Sequence, residues 1–242
     1  MLLFVTVVEF VYAPCLCFRQ TSIIKNEKRL KQNSIEKREN TIMSKVNQTP
    51  TNRIVKEGQE YLRVNMSGKD YDLPFKVLAG KKVAFLDISG QVSLIEAAAD
   101  DLVEMLLDAG VEFDTILNPV SKSNALAHAI ALRWSKAKGT EIDHTVVARK
   151  NGEDAKVSAV YRSVTTPRDQ VMSLTDDDVD YIKGKRILVV DDVYGGGGTT
   201  KGLMELARKA EAIVAAHAVI AVEGGIELPE GIFYLFTLPL SE

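Results

Sequence analysis

Two aspartates and four glycines stand almost back to back in RILVVDDVYGGGGTTKGL, Arg186 to Leu203. An apolar run leads into Asp191 and Asp192. Val193 and Tyr194 then separate the carboxylates from Gly195, Gly196, Gly197 and Gly198, and Thr199 and Thr200 follow. Consecutive glycines lose heavily in conformational entropy on folding, so this loop must serve a close approach of its backbone. Bare N–H groups that lead into a helix N-terminus form an anion cradle, and the threonine hydroxyls add donors and a helix cap. The carboxylates cannot hold the same anion. They suit vicinal hydroxyls, a bound Mg²⁺ or a developing cation. Phosphate on one side and hydroxyls on the other describe a ligand like ribose 5-phosphate. A phosphoacceptor receiver domain also opens on ILVVDD, but it needs a later aspartate, and none follows Asp192. A Walker loop needs Gly-Lys-Ser/Thr, which does not occur.

The elements that must position this stretch alternate along the chain. KKVAFLDI (Lys81 to Ile88) reads as a buried strand. A helix is expected from Leu94 to Ala109, with Gly110 as its stop. FDTILNPV reads as a strand, NALAHAIALRW as a helix and HTVVARK (His144 to Lys150) as a strand. The polar, β-branched stretch from Asn151 to Leu174 has no helical period and suggests an excursion or hairpin. KRILVV is the next strand. TTKGLMELARKA carries Leu203, Leu206, Ala207 and Ala210 on one helical face, and AIVAAHAVIAV and IFYLFTL close as strands. This order predicts an α/β fold, a mostly parallel sheet flanked by helices. In an open sheet of that kind ligands bind at the carboxyl ends of strands, where the glycine loop falls.

The bulk properties narrow the function classes. A chain of 242 residues that is 46% hydrophobic and 26% charged suits one globular domain with a core of its own. Its net charge of -3 gives no reason to expect nucleic acid or a membrane as partner. Cys15 and Cys17 are too close for an ordinary disulfide, so a reducing cytoplasm is the expected location. The first segment differs in character. MLLFVTVVEFVYAPCLCF is apolar but carries Glu9 and lacks a basic start, and a lysine-rich polar run follows it. Lys37-Arg38-Glu39 can be encoded as a purine-rich ribosome-binding signal just before Met43. Residues 1–42 are therefore expected to be translated upstream sequence or a disordered extension, with an uncleaved anchor as the competing reading. Residues 43–80 are expected to form an N-terminal segment or hood, and residues 81–242 the main domain.

VVDDVYGGGGTTKG resembles the PRPP-binding motif of the type I phosphoribosyltransferases: a hydrophobic strand, two acidic residues, two apolar or variable residues and a small-residue loop ending in Thr. The likeness runs from about Asp72 to Leu240. VARK (Val147 to Lys150) is most similar to the adenine and xanthine enzymes. The resemblance implies that Asp191 and Asp192 hold the ribose hydroxyls and, through water, Mg²⁺. It gives Gly195 to Thr199, with Thr200, the 5′-phosphate. Ser121 and Lys122 fall at the pyrophosphate loop, and Arg149 and Lys150 at a basic strand end reaching the pyrophosphate. Asp191, Asp192, Lys122 and Arg149 become the catalytic set. Tyr161, Arg162, Ser163 and Thr165 fall in the flexible loop. The implied partners are PRPP and a nucleobase, in a homodimer. The implied activity is purine salvage, adenine first and xanthine second, through an oxocarbenium-like transfer with pyrophosphate leaving. Gly195 stands where hypoxanthine/guanine enzymes carry an aspartate, and NPVSKSN lacks the glycine usual in the pyrophosphate loop. The alternatives are a non-catalytic PRPP-sensing regulator and a pyrimidine (orotate-like) transferase. Such a regulator normally carries a DNA-binding helical module in front, for which Met43 to Gly80 is short and weakly basic. The base-reading hood is expected from Asn65 to Asp72 or from Glu223-Gly224-Gly225.

Overall fold

The computed structural model describes residues 51–78, 80–150, 154–163 and 166–241. The expectations for residues 1–42 and for Thr165 lie outside them. Two successive X-Gly turns start the described chain. Strands β1 (Asn52–Lys56), β2 (Gln59–Met66) and β3 (Lys69–Leu78) are joined by the two-residue loops Glu57-Gly58 and Ser67-Gly68. All four loop residues have positive φ, the geometry that matches the strand twist in tight hairpins. In β2 the alternate residues Leu62, Val64 and Met66 are buried. Strand β4 (Lys81–Ala84) completes the hairpin with β3, and the terminal β12 (Leu240–Ser241) pairs with β4, giving an antiparallel sheet β1-β2-β3-β4-β12. Lys81 to Ile88 therefore does not enter the parallel sheet. Its first half is captured by the neighbour nearest in sequence (Leu78 opposite Lys81), and Leu86 and Ile88 are buried without a ladder.

The larger sheet has the order β11-β10-β9-β5-β6-β8-β7. Its parallel part comprises β5 (Thr115–Pro119), β6 (Val146–Lys150), β9 (Arg186–Tyr194), β10 (Ile213–Glu223) and β11 (Ile232–Leu238). The antiparallel hairpin of β7 (Val157–Ser163) and β8 (Thr166–Leu174) joins at β6. Helices α1 (Val92–Asp108) and α2 (Asn124–Lys138) cover one face, α3 (Asp176–Ile182) and α4 (Gly198–Lys209) the other. Strand β9 shows why both faces must be covered. Leu188 and Val190 pack with α1 and α2, while Ile187 and Val189 pack with α3 and α4, so this run of four is apolar on both faces. Phe113 stacks on Trp134 at 4.2 Å, pinning α2 beside β5. The α/β class and the alternation of elements are those expected. Helix α3 was not expected. Thr175 and Asp178 form a reciprocal capping box at its start.

Candidate functional site

The register brings four strand ends together. Leu117 of β5 lies opposite Val189 of β9 and Val146 of β6, and Asp191 of β9 lies opposite Val219 of β10. The loops that leave these ends therefore share one rim, and a cleft of about 360 Å³ opens there. Ser121, Lys122, Lys150, Asp191, Asp192, Gly195, Thr199 and Tyr161 all line it. The structure thus gathers most of the residues singled out by sequence, although they come from four elements and two loops.

Asp191 is buried and accepts a 2.7 Å hydrogen bond from Ser123 Oγ and one of 2.9 Å from the Asp192 amide. Burial, then the neighbouring Asp192 charge, push its pKa up to about 7 against the pull of Ser123. Asp192 is the more open of the pair, with its Oδ2 3.9 Å from Lys122 Nζ. The same ammonium lies 3.9 Å from Asp87 Oδ1, so Lys122 sits between two carboxylates. Ser121 and Ser123 flank it in the loop after β5, where the Val120–Ser121 peptide is cis. Asn118, fully buried beneath that loop, donates to Asn124 at 2.8 Å.

Arg149 goes elsewhere. Successive strand residues point to opposite faces, so Lys150 lines the cleft while Arg149 donates to the buried Asp178 at the start of α3. Burial works to raise the pKa of Asp178, but the Thr175 bonds and the Arg149 guanidinium prevail and hold it low. In the hairpin, Tyr161 is buried with its hydroxyl 3.2 Å from Gln170, and both line the cleft. Arg162 turns outward to pair with Asp169. Ser163 closes strand β7.

The glycine loop is crowded by the protein itself. Gly196 and Gly197 are left-handed, with φ of 69° and 75°. A Cβ on Gly195 would stand 2.8 Å from the Glu223 carboxyl carbon, and one on Gly197 2.6 Å from the Tyr194 hydroxyl. A Cβ on Gly198 would lie 1.7 Å from the Arg162 carbonyl oxygen, an impossible contact. One turn on, a Cβ on Gly202 would meet Met172 at 2.9 Å and Tyr161 at 3.1 Å. The cap of α4 is Gly197 with no side-chain hydrogen bond, so Thr199 and Thr200 stand inside the first turn and do not cap it. The amides of that turn have no intrahelical acceptor, and Thr199 faces the cleft. Sequence reasoning missed Asp87, Gln170 and Ser123. An acid ending the FLD run and a serine in the NPVSKSN loop were the available signals.

A phosphoribosyl transferase domain family model matches residues 88–238. The chain belongs to the type I phosphoribosyltransferase family. It is 26% identical over 174 residues to the purine biosynthesis transcriptional repressor PurR of Bacillus subtilis (strain 168), covering 71% of this chain and 56% of that protein. It is 27% identical over 142 residues to the orotate phosphoribosyltransferase of Metarhizium anisopliae, covering 59% and 53%. The chain thus spans little more than half the length of these curated relatives. Among solved structures it resembles an adenine phosphoribosyl transferase from Trypanosoma brucei with a TM-score of 0.51 and 17% identity, covering 73% of this chain and 76% of that one. That likeness is one of fold. Among the described residues no helix is long and apolar enough to cross a membrane.

Two outcomes follow from this geometry. Gly198→Ala should lower the melting temperature and speed proteolysis of the β7–β8 hairpin, because the Arg162 backbone must move away. Gly195→Ala should be milder, since it meets only the flexible end of Glu223. Equal effects would contradict the packing. The buried Asp191 binds its proton more tightly folded than unfolded, so its contribution to stability falls as pH rises between its ordinary value of 3.8 and about 7. Asp191→Asn should flatten that fall in a series of denaturant melts, and an unchanged slope would contradict the burial argument.

Proposed function

We propose that this chain binds PRPP with Mg²⁺ in the cleft and serves as the ligand-sensing part of a purine-responsive regulator. The observation that carries the reading is an imbalance between the two halves of the cleft. The half suited to the phosphoribosyl group is complete. Gly195, Thr199 and the first-turn amides of α4 would take the 5′-phosphate, and Asp191 and Asp192 would face the hydroxyls and metal-bound water. The half that a departing pyrophosphate would use is thin. Arg149 is committed to Asp178, and Lys122 is shared by Asp87 and Asp192. Lys150 remains on the rim. Transfer requires the developing negative charge of the leaving group to be met in the transition state; binding the ground state alone gives affinity without rate.

The residues suit Mg²⁺ that arrives with its ligand. That ion keeps several waters and binds through one or two carboxylates plus phosphate oxygens, which the Asp191–Asp192 pair can supply. Among the described residues no three His, Cys, Asp or Glu side chains are grouped to cage a metal. When bound, the ion would neutralise phosphate charge. The similarity to a purine biosynthesis repressor supports the regulatory reading. It brings DNA in as a partner of the whole regulator, in place of the expectation of no nucleic acid.

A second reading, an adenine or xanthine phosphoribosyltransferase in salvage, is favoured by one observation. Tyr161 and Gln170 of the hairpin line the cleft, where a lid would exclude water from a reactive ribosyl cation.

Calorimetric titration with PRPP and Mg²⁺, paired with a pyrophosphate-release assay over adenine, xanthine, hypoxanthine, guanine and orotate, separates the two. Saturable binding with no base-dependent pyrophosphate is expected; turnover with any base would overturn the regulatory reading. Thr199→Val should weaken PRPP binding by about 1.5–3 kcal/mol, the value of a hydrogen bond to a charged group, with little change in melting temperature. Unchanged affinity would remove Thr199 from the phosphate site.

A further inference from the structure

Lys122 is the one cation in the Val120–Ser123 loop, and it meets a carboxylate on each side. Asp192 at the end of β9 and Asp87 each hold an oxygen 3.9 Å from its Nζ. Asp87 comes from the segment between β4 and α1, where Leu86 and Ile88 are buried and Asp87 between them turns outward. Its carboxylate accepts a 3.2 Å hydrogen bond from the Ser89 amide in the turn before α1, so it is fixed independently of Lys122. The Ser89 hydrogen bonds, ahead of the Lys122 and Lys76 charges, hold its pKa below the ordinary value, and the group is ionised at neutral pH. Lys76 does not relieve it, because that ammonium rests 3.9 Å from the centroid of the Phe85 ring. An asparagine would serve the Ser89 bond equally well. The turn therefore needs the acceptor at Asp87 and not its charge.

We propose that Asp87 is a specificity-determining residue: its fixed charge offsets Lys122 and makes the cleft select the metal complex of a diphosphate ligand over the free anion. The proposal rests on the assignment of this cleft to PRPP with Mg²⁺. At 3.9 Å neither carboxylate is hydrogen-bonded to the ammonium. What acts there is the field of point charges, which falls slowly with distance. A diphosphate without metal brings several negative charges to Lys122 and meets Asp87 and Asp192 beside it, so its gain at the ammonium is offset by repulsion. A diphosphate that carries Mg²⁺ brings less net charge, and the same carboxylates attract its cation. Asp192 already faces the ribose side of the cleft. Asp87 has no such task, and its charge serves discrimination alone. Specificity is gained by repelling the wrong ligand as well as by attracting the right one.

The test is equilibrium binding of inorganic pyrophosphate, PRPP and ribose 5-phosphate to the full chain, each with Mg²⁺ and with EDTA. It compares the wild type with Asp87→Asn, Asp87→Ser and Asp87→Glu, with circular dichroism to confirm the fold. At low salt the two neutral variants should bind metal-free pyrophosphate and metal-free PRPP about fivefold more tightly than the wild type, the effect of removing one half-exposed charge. High salt should erase that gain. Asp87→Glu keeps the charge and should keep the wild-type affinities. Affinity for the Mg²⁺ complexes should change by less than about twofold, and ribose 5-phosphate, which has no diphosphate, should not respond. Unchanged or weaker metal-free binding in both folded neutral variants would overturn the proposal. So would a gain that persists at high salt, that Asp87→Glu shares, or that ribose 5-phosphate shows equally. Each of these leaves the PRPP reading intact as long as the wild type binds PRPP with Mg²⁺. Failure of PRPP to bind the wild type with Mg²⁺ would remove both.

Discussion

The loop after β9 has no room for side chains, and the rest of the site depends on that. At Gly195 the space belongs to the Glu223 carboxylate, at Gly197 to the Tyr194 phenol and at Gly198 to the carbonyl of Arg162. Gly202 continues the same face of α4 against Met172 and Tyr161. Gly195, Gly197, Gly198 and Gly202 are thus demanded first by the protein's own elements: the end of β10, the end of β9 and the β7–β8 hairpin all converge on them. A ligand phosphate held by this loop is held at a junction. Any shift of the loop must be shared with the hairpin and with the Glu223 end of the cleft, which would link phosphate binding to movement of the hairpin by contact alone.

Charge is arranged around the same junction. Ser123 ties the loop after β5 to Asp191, and Lys122 in that loop lies between Asp87 and Asp192. Carboxylates outnumber ammonium groups in this part of the cleft, so a phosphate-rich ligand gains from a divalent cation that satisfies both sides. Asp191 is the costly member. Burial and its acidic neighbour favour its protonated form, and a cation nearby would reverse that preference. Binding of a ligand with its metal would thereby be coupled to protonation at the strand end. Arg149 lies outside this arrangement because strand alternation turns it toward Asp178.

Much of this was legible in the sequence because its signals are local. The apolar run of β9, the helical face of α4 and the DDVYGGGG order marked the strand, the turn and the helix. The hairpin at 157–174 followed from its β-branched, aperiodic composition. What was lost depended on pairing choices. Lys81 to Ile88 looks like any buried strand, and only the β3 partner shows that it belongs to the antiparallel sheet. Glu57-Gly58 and Ser67-Gly68 are readable hairpin turns, and Thr175 to Asp178 a readable capping box. That Arg149 faces away while Lys150 faces in depends on which face of β6 meets the cleft. The crowding at Gly195 and Gly198 depends on residues 28 and 36 positions away in the sequence, beyond the reach of any spacing rule.

The central claim is that one ligand engages the glycine loop and, through it, the hairpin. Hydrogen–deuterium exchange with and without PRPP and Mg²⁺ tests it most directly. Exchange should slow together at Gly195 to Thr200 and along the hairpin from Lys156 to Asp169, with α1 and α2 unaffected. Protection of the loop with an unchanged hairpin, or no protection at either, would contradict the account.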